Sequence, residues 1–80
     1  MLILLADDSL DARDALKLFL EIKGHTVLVA ANGKQAVESA LKNAPDLIFM
    51  DLGMPVMDGV AAIGAIRVGG VTTPIAVLSA

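Results

Sequence analysis

Asp7 and Asp8 follow the apolar run MLILLA, Asp51 closes DLIFMD, and Ser79 comes near the end of IAVLSA. Each of these runs reads as a buried strand of the parallel-sheet kind. In open parallel sheets, ligands bind outside the carboxyl ends of the strands. Three carboxylates and a hydroxyl are therefore expected at one edge. Carboxylates gathered there repel one another, and their natural counter-ion is a hard divalent cation. Mg²⁺ takes a couple of carboxylates, keeps several waters and readily accepts a phosphate oxygen. An Asp beside it can attack phosphorus and form an aspartyl phosphate. The metal neutralises charge on the transferring group, and a hydroxyl can donate to one of its oxygens. Taken singly, Asp7-Asp8 is an ordinary solvated strand end before an N-cap, Asp51 a loop start and Ser79 a strand residue. Their coincidence at matching strand ends is what points to a site.

The elements that must position them alternate. After the first strand, Ser9 is a candidate N-cap for a helix over Leu10–Lys23, in which Ala12, Ala15, Leu16, Phe19, Leu20 and Ile22 recur at helical spacing. Lys23 falls in the last turn and Gly24 at the stop. Thr26–Ala30 is a second strand, which leaves only alanines and Asn32 at its end. A second helix follows Asn32-Gly33, with Ala36, Val37, Ala40 and Leu41 on one face and Pro45 as terminator. Asp46–Asp51 is the third strand, followed by the loop LGMPVMDG. There Pro55 fixes φ and Asp58 caps a third helix from Gly59 to about Val68, which Gly69-Gly70 ends. Pro74 leads into the fourth strand. This order calls for a parallel sheet with right-handed crossovers. His25 reads as a surface turn residue away from the acidic edge, Met50 and Met57 as packing residues, and Arg67 as a solvated helix-end charge.

Composition narrows the function. The chain has 80 residues, one small domain, and a net charge of -3 from nine acids and six bases. That balance argues against non-specific nucleic-acid binding, which needs a basic surface. With two aromatics, Phe19 and Phe49, no stacking platform is expected. No cysteine means no disulfide and no thiolate metal site. The opening apolar run is too short for a signal peptide or a membrane span, so a cytoplasmic protein is expected. Apolar residues make up 56% of the chain, against about 45–50% in ordinary globular proteins. The excess must enter a core or a partner surface.

The motifs LLADDS, LIFMDLGMPVMDG and PIAVLSA, in this order and spacing, resemble the receiver domain of two-component response regulators over the full chain. The resemblance implies a flavodoxin-like fold with strand order 2-1-3-4 and three helices. It implies that Asp51 is the phosphoacceptor and that Asp8 binds Mg²⁺ directly, with Asp7 acting mainly through water. Gly53 would offer its backbone carbonyl to the metal. Ser79 would contact the phosphoryl group and turn inward on activation, and Ala80 would keep the site open. The phosphodonor would be a histidine kinase or a phosphotransfer protein carrying phosphohistidine. A haloacid-dehalogenase-type phosphatase needs a second Asp where Gly53 stands. A P-loop needs Gly-Lys-Ser/Thr where Asp7-Asp8-Ser9 stand.

The family pattern continues with a fourth helix, a fifth strand ending in Lys-Pro and a fifth helix. Residues 1–80 thus read as a single truncated receiver domain lacking that last helix-strand-helix portion. The lysine that bridges the phosphoacceptor and its phosphoryl group goes with it, since Lys17, Lys23, Lys34 and Lys42 all fall on the first two helices. Two functions are weighed. One is a Mg²⁺-dependent phosphoacceptor at Asp51. The other is a phosphorylation-impaired receiver remnant that acts, if at all, by protein interaction. The fourth strand becomes an apolar open edge, and the sheet face over strands one and three is left bare. Covering ~500 Å² of apolar surface is worth on the order of 10 kcal/mol gross. An obligate two-fold homodimer through Ile75, Val77, Ser79 and that face is therefore expected, or a domain-swapped variant of it.

Overall fold

The computed structural model describes residues 1–78; the expectations placed on Ser79 and Ala80 lie outside the described residues. The elements are β1 (Leu2–Ala6), α1 (Leu10–Ile22), β2 (Thr26–Ala30), α2 (Gly33–Asn43), β3 (Leu47–Asp51), α3 (Gly59–Val68) and β4 (Ile75–Leu78). The four strands form one sheet in the order β2-β1-β3-β4. Every pairing is parallel, with Ile3 opposite both Val27 and Leu47, and Ile48 opposite Ile75. All four strands therefore deliver their carboxyl ends to the same edge.

The core has two layers. On one side α2 and α3 cover Leu4, Ala6, Ile48 and Met50, with Ala36, Ala40, Ala62 and Ile66 pressed against them. On the other side α1 alone covers Ile3, Leu5 and Val27 through Leu20, with Leu16, Leu47, Phe49 and Leu78 half-buried beside them. β1 is thus covered on both faces, as its unbroken apolar run requires. The thin cover on this face lies over β3 and β4, where Leu47, Phe49 and Leu78 are half-buried; β1, expected to be bare there, is instead fully covered at Ile3 and Leu5. Among the described residues, no helix is long and apolar enough to cross a membrane.

Local chemistry sets the helix ends. Ser9, Asn32 and Asp58 are the N-caps, their side chains accepting from Ala12, Gln35 and Ala61 N–H groups. Three sequence expectations need correction. α1 stops at Ile22, so Lys23 is its C-cap and not part of the last turn. α2 ends at Asn43 with Ala44 as its C-cap, a non-glycine in the left-handed region at φ 45, and Pro45 merely follows. Phe19 and Ile22 face outward, with Ile22 74% exposed, whereas Leu41, though partly exposed, packs against Gly69 at the end of α3. α1 carries two apolar stripes, and Leu16 and Leu20 belong to the one that meets the sheet.

Arg67 is exposed in the last turn of α3, as expected, and it is also bonded. Its Nη1 donates to the carbonyls of Val71 at 3.0 Å and Thr73 at 2.8 Å, and Thr73 Oγ1 donates to Pro45 O at 2.8 Å. The turn that feeds β4 is thereby tied to α3 and to the entry of β3. His25 is half-buried, and its Nδ1 lies 3.1 Å from the Met1 amine at the amino edge of the sheet.

Candidate functional site

Asp7 directly follows β1, and its N–H extends the ladder by donating to Ala30 O at 3.1 Å. Its Oδ1 accepts from Ser9 N–H at 2.9 Å, a turn that swings the chain into α1. Asp8 sits exposed at the tip of that turn. Asp51 is the last residue of β3, and its Oδ1 accepts from Gly53 N–H at 3.1 Å. Because β1 and β3 are neighbours, the three side chains converge. Carboxylate oxygens of Asp7, Asp8 and Asp51 lie within 4.8 Å of one another.

The loop after Asp51 is gripped from two sides. Gly59 packs on the end of β3, where a β-carbon would overlap Asp51 O and stand 2.7 Å from Leu52 Cα. Gly33, at the start of α2, packs on Met57, where a β-carbon would overlap the Met57 carbonyl and stand 2.8 Å from its Cβ. Between them Met57 N–H donates to Pro55 O at 2.8 Å, closing a γ-turn with Val56 at φ 68. The loop position of Gly53 is therefore set by backbone contacts.

The donor set fits Mg²⁺. All three donors are hard carboxylate oxygens, the class this ion takes. At about 2.0–2.1 Å per bond, opposite ligands of Mg²⁺ lie about 4.2 Å apart. The 4.8 Å span found here is slightly wider. A small side-chain rotation, or one carboxylate bound through water, closes that difference. Asp7 and Asp51 are half-buried, so two of the three charges are partly withdrawn from water.

Sequence reasoning missed Arg13. Its Nη1 approaches Asp7 O at 3.4 Å, and its Nε is buried with no partner in the structure. Among the described residues it is the one cation tied to this corner by a hydrogen bond. The signal was available: a lone base between Asp11 and Asp14 in the first turns of a helix. The roles of Gly33 and Gly59 were not visible, because the surfaces they press against come from elsewhere in the fold.

With carboxylates from β1 and β3 converging beside a parallel 2-1-3-4 sheet, the comparison with known proteins is direct. A model of the response regulator receiver domain matches residues 3–80, and the chain belongs to that family. It is 38% identical over 79 residues to the transcriptional regulatory protein KdpE of Mycobacterium tuberculosis, covering 99% of this chain and 34% of KdpE. Among solved structures it resembles the receiver domain of the Francisella response regulator 1452, with TM-score 0.93, 33% identity, and coverage of 99% of this chain and 65% of that one. It also resembles the receiver domain of the sensor histidine kinase PA1611 from Pseudomonas aeruginosa, which holds a magnesium ion in its active site cleft. That match has TM-score 0.90 and 36% identity, over 95% of this chain and 64% of the other. The chain thus spans about a third of the KdpE it matches and about two thirds of the solved receiver domains.

Proposed function

We propose that Asp51 accepts a phosphoryl group from a phosphohistidine on a histidine kinase or phosphotransfer protein in the cytoplasm, in a Mg²⁺-dependent reaction. The convergence of Asp7, Asp8 and Asp51 carries this reading. Asp51 Oδ2, the oxygen not bonded to Gly53, attacks phosphorus as the P–N bond to histidine breaks, and the imidazole leaves with the bonding pair. Asp8, Asp51 and the Gly53 carbonyl would hold the metal directly, and Asp7 mainly through water. Bound Mg²⁺ supplies charge neutralisation on the transferring group. Gly53 N–H holds Asp51 Oδ1 and orients the carboxylate. Ser79 would contact the phosphoryl group.

The test is intact-mass detection of an adduct after incubation with Mg²⁺ and a small acyl phosphate, beside Asp51→Asn. An adduct on the parent alone supports the reading. Its absence from folded, Mg²⁺-loaded protein overturns it.

A second reading, self-association of the 80-residue chain, is supported by β4. Pro74 O accepts from Ile48 N–H and Leu78 O from Leu52 N–H. Strand groups alternate in direction, so the N–H and C=O groups of Ile75 and Val77 point to the open edge. Val77 is 49% exposed, and in α3 Val60 is 67% and Val68 90% exposed. The total accessible area of 4426 Å² matches the roughly 4500 Å² of an ordinary 8.2 kDa monomer. The chain is compact, then, and its surface includes these large apolar side chains. A homodimer would bury Ile75, Val77 and Ser79, and light scattering that shows a monomer across micromolar concentrations overturns it.

A further inference from the structure

Gly33 cannot be replaced without displacing Met57, because its α-carbon lies against the Met57 carbonyl. That packing puts glycine immediately after Asn32, and Asn-Gly is the step at which a following backbone nitrogen is least hindered from reaching a side-chain carboxamide. Gly33 is the first helical residue, so its N–H has no intrahelical acceptor and the nitrogen is not held back. Two bonds oppose the reaction. Gln35 N–H donates to Asn32 Oδ1 at 2.9 Å, and Ala31 N–H donates to Gln35 Oε1 at 2.8 Å. They hold Asn32 extended, at φ -154 and ψ 172, so attack waits for the first turn of α2 to open.

We propose that Asn32 is a site of slow intramolecular deamidation, and that its isoaspartyl product shifts the loop of Gly53 and Met57 beside Asp51. Gly33 N attacks Asn32 Cγ; the N–C bond forms, the Cγ–Nδ2 bond breaks, and ammonia leaves with the proton shed by Gly33. Water then opens the cyclic imide at either carbonyl. One product is aspartate, which keeps both the backbone and a competent N-cap. The other is isoaspartate, whose main chain gains the side-chain methylene. That added length falls directly before Gly33 and moves it against Met57. The Asn32–Gly33 step is thus a covalent switch in a segment remote in sequence from Asp51.

The test follows the protein on warm incubation by peptide mapping, with enzymatic methylation to count isoaspartate. Asn32→Ser keeps the cap and cannot cyclise. Gln35→Ala should raise the deamidation rate about fivefold, the factor that one lost cap interaction adds to the open population. An unchanged rate in Gln35→Ala overturns the gating by the first turn. In the separated isoaspartyl form, the amide resonances of residues 52–59 should move, while Asn32→Asp leaves them in place. Unmoved resonances in the isoaspartyl form overturn the coupling to the loop. Weaker Mg²⁺ binding by that form is also expected, and this arm alone rests on the proposed phosphoacceptor site. If the fresh parent fails to bind Mg²⁺, the site reading fails while the resonance test still decides the inference.

Discussion

Gly59 rests on the carbonyl of Asp51 so closely that no side chain fits between them. The residue that starts α3 therefore fixes the backbone at the end of β3. Gly59→Ala is expected to destabilise the chain by about 2 kcal/mol through overpacking, because the opposing atoms are backbone and cannot rotate away. Gly64 lies in the same helix with nothing within 4 Å of its hypothetical β-carbon. Gly64→Ala should instead stabilise by about 0.5–1 kcal/mol. Urea denaturation of the pair separates close approach from helix propensity, and equal signs would contradict the packing.

Val56 is a β-branched residue at φ 68 and is 78% exposed. Its side chain packs little, yet its backbone occupies a region that branched residues avoid. Val56→Gly is expected to raise stability by about 1 kcal/mol as that strain is relieved. Thermal unfolding of Val56→Gly beside Val56→Ala checks this, since alanine keeps the β-carbon and should gain less. A loss of stability in the glycine variant would count against a strained loop.

The carboxylate cluster predicts opposite effects with and without metal. Two unit charges about 4 Å apart repel by about 1 kcal/mol in water. Asp51→Asn should therefore raise metal-free stability by up to about 1 kcal/mol, while its side-chain oxygen can still accept from Gly53 N–H. The parent should gain about 2.7 kcal/mol at Mg²⁺ a hundredfold above its dissociation constant, and Asp51→Asn should gain far less at that concentration. Melting curves in EDTA and in Mg²⁺ give both quantities. An equal Mg²⁺ shift in the two proteins would remove Asp51 from the metal site.

Much of this was legible in the sequence because the signals are local. Ser9, Asn32 and Asp58 cap helices through residues three positions on, and glycines mark the stops of α1 and α3. Asp7, Asp8 and Asp51 were legible because the strand-end rule brings two segments, the ends of β1 and β3, to one edge. Periodicity on α1 could not say which of two apolar stripes meets the sheet, so Phe19 and Ile22 were placed inward. The bonds of the exposed Arg67 were not legible, because its acceptors come from a turn that curls back over the helix end. Ala44 gave no sign of its left-handed backbone, since alanine is not the residue that conformation usually selects.

The edge of β4 gives the last expectation, which turns on the direction of one N–H. Val77 N–H points away from β3, so among the described residues Val77→Pro removes no bond within the sheet and is tolerated as proline is on an edge strand. Its ring also restricts Ala76 to the extended conformation that the strand already has. Ala76 N–H points the opposite way, towards β3, so Ala76→Pro breaks the ladder and should cost about 1 kcal/mol or more. If β4 pairs with a second copy, sedimentation across a concentration series should show a self-associating parent and a folded, monomeric Val77→Pro. Association that survives Val77→Pro would move the interface off the strand edge and onto the exposed faces of α1 or α3.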